Sequence, residues 1–278
     1  MKKNFKAIYS ICFSLILSST TTQALELCGN LSQGELIIGN ISNQEHVFLN
    51  DEELSVLPDG TFLFALGRDA DANQKLQISE AENIKEIPLT IKPTAWDIQK
   101  INGIAPRKVT PTDLDNRKIE KERTDLKRAL NKKSLTPFWQ AGFIMPVKGR
   151  TSGNFGGQRI MNGIKKSPHQ GMDIAAPEGS PVYASSDGVV TLSDGDYFYT
   201  GKVIVIDHGQ NLSTIYAHLK STSVKKGDKV KQGDIIGHVG QTGRATGPHL
   251  HWGASINNVR FQPLSLLKVG DKNFCTNL

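Results

Sequence analysis

The chain reads as short apolar runs broken by turn residues, not as long helical stripes. Between residues 34 and 93 the runs fall at 35–38, 46–49, 61–66, 75–78 and 87–91, with Asn50-Asp51 and Pro58-Asp59-Gly60 as turns, which predicts a small β-sandwich-like domain. The pattern changes abruptly at 110–134. Pro111-Thr112-Asp113 supplies a helix start, and the stretch that follows is crowded with charge over a thin apolar stripe of Leu114, Ile119, Leu126 and Leu130. A solvated helix linking two domains is expected there. From 138 onward β signals return at 188–192, 202–207, 213–217 and 235–239, separated by Gly and Asp turns. A miniature repeat, Val224-Lys225-Lys226-Gly227-Asp228 and Val230-Lys231-Gln232-Gly233-Asp234, predicts two tight turns flanking a short strand.

Residues 1–24 are of another kind. Lys2, Lys3 and Lys6 precede an apolar run at 7–17 and a Ser/Thr stretch ending in Thr22-Gln23-Ala24, the layout of a secretory signal peptide. The run is shorter than the roughly 20 residues needed to span a bilayer, and no later run is long enough either, so no stable membrane insertion is expected after signal removal. The expected division is therefore a signal peptide at 1–24, an N-terminal β domain at 25–95, a linker with a helix at 96–137 and a second, mainly β domain at 138–278.

Composition narrows the class. With 38% hydrophobic and 22% charged residues the 278-residue chain is ordinary globular protein, which excludes disorder, collagen and coiled coil. The net charge of +6 falls to an excess of three without the signal-peptide lysines, too little to make nucleic acid the leading partner. Of the three cysteines, Cys28 and Cys275 would remain at opposite ends of the mature chain, and an even count in an oxidising compartment invites one disulfide between them.

The histidines carry the chemistry. Four of the seven, with one aspartate, fall in a pattern that random placement rarely gives: His169 and Asp173 with three residues between, His249 and His251 with one, and His218 in Tyr216-Ala217-His218-Leu219. On a strand, the period of two puts His249 and His251 on one face and Leu250 on the other. A catalytic zinc site takes three protein ligands and leaves a fourth position for water, and His169, Asp173 and one of the His249/His251 pair fill the three. The remaining histidine and His218 are then available to move a proton or stabilise an oxyanion. His46 has no second ligand nearby and reads as a surface or packing residue.

These residues stand in longer motifs. His169-Gln170-Gly171-Met172-Asp173-Ile174-Ala175-Ala176-Pro177, Gly179-Ser180-Pro181-Val182-Tyr183-Ala184, Asp207-His208-Gly209, Tyr216-Ala217-His218-Leu219 and Gly247-Pro248-His249-Leu250-His251 occur in that order. Over about residues 155–264 the chain closely resembles the M23 zinc metallopeptidases of the lysostaphin and LytM type. The resemblance implies an antiparallel β core with a groove across it, one zinc ion per chain held by His169, Asp173 and His251, and His218 and His249 as catalytic residues. It also implies peptidoglycan stem peptides as substrate, and leaves His208 and His238 outside the site. Trp252-Gly253-Ala254 follows the His-x-His pair where many relatives have an aromatic residue and an acid. Some relatives use an upstream asparagine to occupy the open zinc position; for Asn154 and Asn162 a turn or groove role is expected instead.

The expected reaction is hydrolysis of a peptide cross-link in bacterial peptidoglycan, the D-alanyl to diaminopimelate bond by resemblance, in the periplasm of a Gram-negative bacterium. A pH optimum near or above neutral is expected, because ligand imidazoles must lose their protons to bind metal. The rival reading is a non-catalytic adaptor that activates cell-wall amidases. Such adaptors lack metal or base residues, and all five are present here. The N-terminal domain and helix are expected either to cover the groove or to position the enzyme on the wall.

Overall fold

The computed structural model describes residues 25–41, 46–80, 83–132 and 134–270. The signal-peptide reading of 1–24 lies outside them, as do Cys12 and Cys275; Cys28 is disulfide-bonded. No helix among the described residues is long and apolar enough to cross a membrane.

The N-terminal runs pair as two small sheets. Glu26–Cys28, Leu36–Asn40 and Thr61–Ala65 form one, and Glu52–Leu54, His46–Leu49, Asn73–Glu80 and Asn83–Thr90 form the other. Asn50 and Asp51 both take the left-handed conformation (φ 49° and 70°), which closes a two-residue hairpin between His46–Leu49 and Glu52–Leu54. Ile37, Phe62 and Phe64 meet Val47, Leu76 and Leu89 of the second sheet in one buried cluster, as a sandwich requires. The first sheet, however, is covered on both sides. Leu36, Leu63 and Ala65, which alternate with those residues and so face the other way, join the core that contains Tyr216, Trp252 and Phe261.

That larger core belongs to a ten-stranded sheet. Its main path runs Lys229–Val230, Gly188–Tyr197, Gly201–Asp207, Leu212–Thr222, His249–Ile256, Met172–Ala175 and Arg150–Gly153, every neighbour antiparallel. Pro181–Tyr183, Ile235–Val239 and Val259–Phe261 complete it. Leu212–Thr222 is buried over its first eight residues, so the middle of the sheet is a fixed platform. The repeat at 224–234 forms the expected turns: Asp228 and Asp234 each accept from the backbone N–H three residues back, at 2.9 and 2.7 Å.

The segment at 96–137 differs from the expected solvated link. Ile98–Ile101 is a strand paired in parallel with Gln158–Met161. The helix Asp113–Leu130 is capped by Thr112, whose hydroxyl accepts from the Asp115 N–H while the Asp115 carboxylate accepts from the Thr112 N–H. It docks instead of floating. Its thin stripe suffices because Ala129 and Leu130 are buried against Val203, Val205, Ile215 and Ala217, and Lys118 and Glu122 bond the backbone of Asp196 and Phe198 at 2.9 and 2.8 Å. Further polar ties fix the N-terminal sheets: Gln210 donates to the Ser55 carbonyl at 2.9 Å and Ser265 to the Glu35 carboxylate at 2.9 Å.

Candidate metal centre

The site is set by strand register. Met172–Ala175 lies antiparallel to His249–Ile256 with Asp173 opposite His251 and Ala175 opposite His249, so the carboxylate and both imidazoles share one face. Leu250, between the histidines, is fully buried on the other. Asp173 Oδ1 is 2.9 Å from His251 Nδ1 and 3.0 Å from His169 Nε2, and those two nitrogens are 3.0 Å apart. His169 Nδ1 donates to the Asn154 carbonyl at 2.9 Å, which fixes the tautomer and turns Nε2 toward the cluster. The second Asp173 oxygen accepts from Arg159 Nη2 at 2.7 Å.

His218 arrives by a different device. It sits at φ 63°, where the ladder between Leu212–Thr222 and Gly201–Asp207 slips by one residue. That bulge sends Ala217 into the core and turns His218 to the site, its ring centroid 4.7 Å from His249 and 5.9 Å from His251. His218 Nδ1 donates to the Thr242 carbonyl and His249 Nδ1 to the Gly247 carbonyl, each at 2.8 Å. Both rings therefore keep Nε2 free as an acceptor.

Charge states follow from burial. Burial alone would push the Asp173 carboxyl up, but hydrogen bonds from His169 and His251 hold it well below the usual carboxylate range. Burial lowers His251 to about 4 against the pull of Asp173, and lowers His218 to about 3 with help from His249 and His251. At neutral pH the cluster thus offers a carboxylate and a deprotonated His251, the forms in which these groups ligate metal.

The donor set fits zinc. His169, Asp173 and His251 are the one group of three metal-competent donors found among the described residues, their ligand atoms all within 4.8 Å of one another. Three ligands on one tetrahedral ion with bonds of about 2.0–2.1 Å stand about 3.3 Å apart, close to the 2.9–3.0 Å seen here. Two imidazoles and a carboxylate, with no thiolate, match the donors of catalytic zinc sites.

Glycine makes room for the cluster. A Cβ at Gly171 would stand 2.7 Å from the His251 ring and 2.6 Å from the Trp252 carbonyl. Gly171→Ala is expected to displace the ring and weaken zinc binding by roughly 10–100-fold, as loss of a ligand's support does; titration with a competing chelator measures it.

The structure brings together all five residues singled out by sequence and separates the other histidines. His208 is buried, with Nδ1 2.6 Å from the Asp187 carbonyl and Nε2 2.7 Å from Thr214 Oγ1; His238 contacts Ser221 and His46 contacts Glu53. Asn162 bonds the backbone of Ile104 through its side chain, a turn role. Arg159 and the Asn154 carbonyl were not foreseen, because their roles depend on contacts that no motif records. Nor was the groove's wall: a cavity of about 580 Å³ runs past His169, His218 and His251, and Ile119, Leu126 and Leu130 of the helix line it.

Residues 167–263 match the model of Peptidase family M23. The chain is similar to the peptidoglycan DD-endopeptidase ShyA of Vibrio cholerae, 39% identical over 155 residues that make up 55% of this chain and 33% of that protein. Similarity to the DD-carboxypeptidase/endopeptidase Mpg of Neisseria meningitidis reaches 47% over 98 residues, 35% of this chain and 22% of that one. The matched region thus spans a third or less of these curated relatives. A solved Pseudomonas aeruginosa structure described as an M23 peptidase superposes with a TM-score of 0.68 at 27% identity, covering 87% of this chain and 97% of that one.

Proposed function

We propose that this protein is a zinc-dependent endopeptidase that hydrolyses peptide cross-links of bacterial peptidoglycan. The observation that carries the reading is the convergence of His169, Asp173 and His251 as one donor triangle with His218 and His249 beside it. An adaptor that had lost its chemistry would have no reason to keep all five. The names of the ShyA and Mpg relatives support the substrate class and point to a D,D-bond such as D-alanyl to diaminopimelate. The signal-like start and the disulfide at Cys28 support export to an oxidising compartment, the periplasm of a Gram-negative cell.

In this reading His169 Nε2, His251 Nδ1 and an Asp173 oxygen hold one zinc ion, and Arg159 steadies the carboxylate from its other oxygen. When bound, the ion supplies Lewis acidity, polarising the scissile carbonyl and acidifying the attacking water. His249 and His218, each with Nδ1 tied to a backbone carbonyl, present Nε2 to accept the water's proton. Once protonated, either imidazolium stabilises the developing oxyanion and returns the proton to the departing amine.

Mass spectrometry of muropeptides released from purified sacculi tests the proposal. Zinc-loaded protein is expected to collapse cross-linked dimers to monomers. His249→Ala is expected to retain zinc while slowing that collapse roughly 10²–10⁴-fold, the usual contribution of a general base. Dimers that persist, or glycan strands cut instead, would refute it.

A further inference from the structure

The groove beside the donor cluster holds more positive charge than its walls neutralise. Arg123, Lys127, Arg159, Lys166, Arg244 and Arg260 line it, against a single lining glutamate, Glu122. Three of the four arginines are engaged. Arg123 pairs with Glu120 at 2.6 Å and Arg159 with Asp173 at 2.7 Å. Arg244 lies over the Tyr199 ring, 4.2 Å from its centroid, and donates to the Lys108 carbonyl at 3.3 Å. The Arg260 side chain makes no hydrogen bond or ion pair among the described residues. It is half-buried, and burial pushes its pKa down to about 10. A cation held partly out of water without a counter-ion is costly, and such groups concentrate where a ligand supplies the missing charge.

Its place in the fold relates it to the scissile bond. Asn257 and Asn258, both left-handed, turn the strand that carries His249 and His251 back on itself as Val259–Phe261, so that Arg260 lies opposite Ser255. Ser255 is four residues beyond His251 on that strand, an even spacing that keeps Arg260 on the histidines' face at about 13 Å along the strand. Allowing for the length of the arginine side chain, that offset is two to four residues of an extended peptide lying in the groove. His169 and Arg260 also line one further recess together with Arg68 and Asp69, which pair with each other, so the path between them is continuous.

We propose that Arg260 is a specificity-determining residue that binds a carboxylate of the substrate peptide two to four residues from the bond cleaved. The proposal rests on the endopeptidase reading above: stem peptides with diaminopimelyl residues carry free carboxylates, and a guanidinium fork matches a carboxylate with two parallel hydrogen bonds. A neutral peptide of the same shape leaves Arg260 unpaired and is the poorer substrate.

The probes are a cross-linked muropeptide with free carboxylates and the same muropeptide amidated at them, given to the zinc-loaded full chain. In Arg260→Gln the ratio of kcat/KM for free over amidated substrate is expected to fall at least tenfold, through KM, and Arg260→Lys is expected to recover part of it. Dissociation constants of the two muropeptides, measured by calorimetry in a His249→Ala background, are expected to show the same loss of preference. A ratio within twofold of wild type in both measurements overturns the role of Arg260. Failure of the wild type to cleave either probe sinks the endopeptidase reading instead, and the dissociation constants then decide Arg260 alone.

Discussion

His251→Ala is expected to lose zinc and hydrolysis together. The substitution removes one corner of a three-donor triangle whose edges are 2.9–3.0 Å, so the ion would be left with His169 and Asp173 alone. Disturbing a ligand's support costs roughly 10–100-fold in affinity, and deleting the ligand itself costs more, at least ~10³-fold. Asp173 would also lose one of the two imidazole hydrogen bonds that offset its burial. The contrast with His249→Ala is the informative part. That ring touches the cluster from outside, its Nε2 3.8 Å from Asp173 Oδ1, so its loss is expected to slow turnover and spare the metal. Elemental analysis and rates on the same preparations check both; zinc retained at full stoichiometry by His251→Ala would remove it from the ligand set.

Acid is expected to destabilise the metal-free protein from about pH 6.5 downward. Burial lowers His208 to about 4, His218 to about 3 and His251 to about 4, whereas unfolded histidine binds its proton near 6.5. Below about pH 6.5 the unfolded chain therefore takes up protons that the folded chain refuses, and stability falls by up to about 1.4 kcal/mol per pH unit for each ring. Asp207 opposes this between 3.8 and about 6, because burial raises its folded pKa to about 6 and the fold then holds the extra proton. One opposing group leaves a net loss of several kcal/mol by pH 4, a large share of the 5–15 kcal/mol that holds a domain together. Thermal unfolding in chelator, from pH 7 to 4.5, is expected to show a midpoint lower by on the order of 10 °C at the acid end. A flat profile would mean these imidazoles are not held neutral.

The histidine pair on His249–Ile256 was legible because a strand's period of two depends on sequence alone, and Asp173 opposite His251 adds only the antiparallel register. His218 was found by its motif, but the bulge that aims it was not, since a one-residue slip leaves no compositional trace. The docking of the N-terminal sheet was present in the sequence and was missed. Thr61–Ala65 reads Thr-Phe-Leu-Phe-Ala, continuous rather than alternating, and a continuous run marks a strand covered on both faces; an outer sandwich sheet would alternate. The helix misled for the opposite reason: charge on most of its surface hid the short buried end at Ala129 and Leu130. These contacts also change the question of what the N-terminal region does. Cutting the chain at about residue 138 would strip Leu36, Leu63 and Ala65 from the shared core and remove the helical wall of the groove, so the cut would test folding before it tested covering or positioning.

Anomalous diffraction at the zinc edge, on crystals of the metal-loaded protein, tests the central claim most directly. One peak per chain is expected, bonded to His169 Nε2, His251 Nδ1 and an Asp173 oxygen at about 2.0–2.2 Å, with His218 and His249 beside it and unbonded. A peak elsewhere, or those three side chains turned apart around an empty centre at saturating zinc, would contradict it.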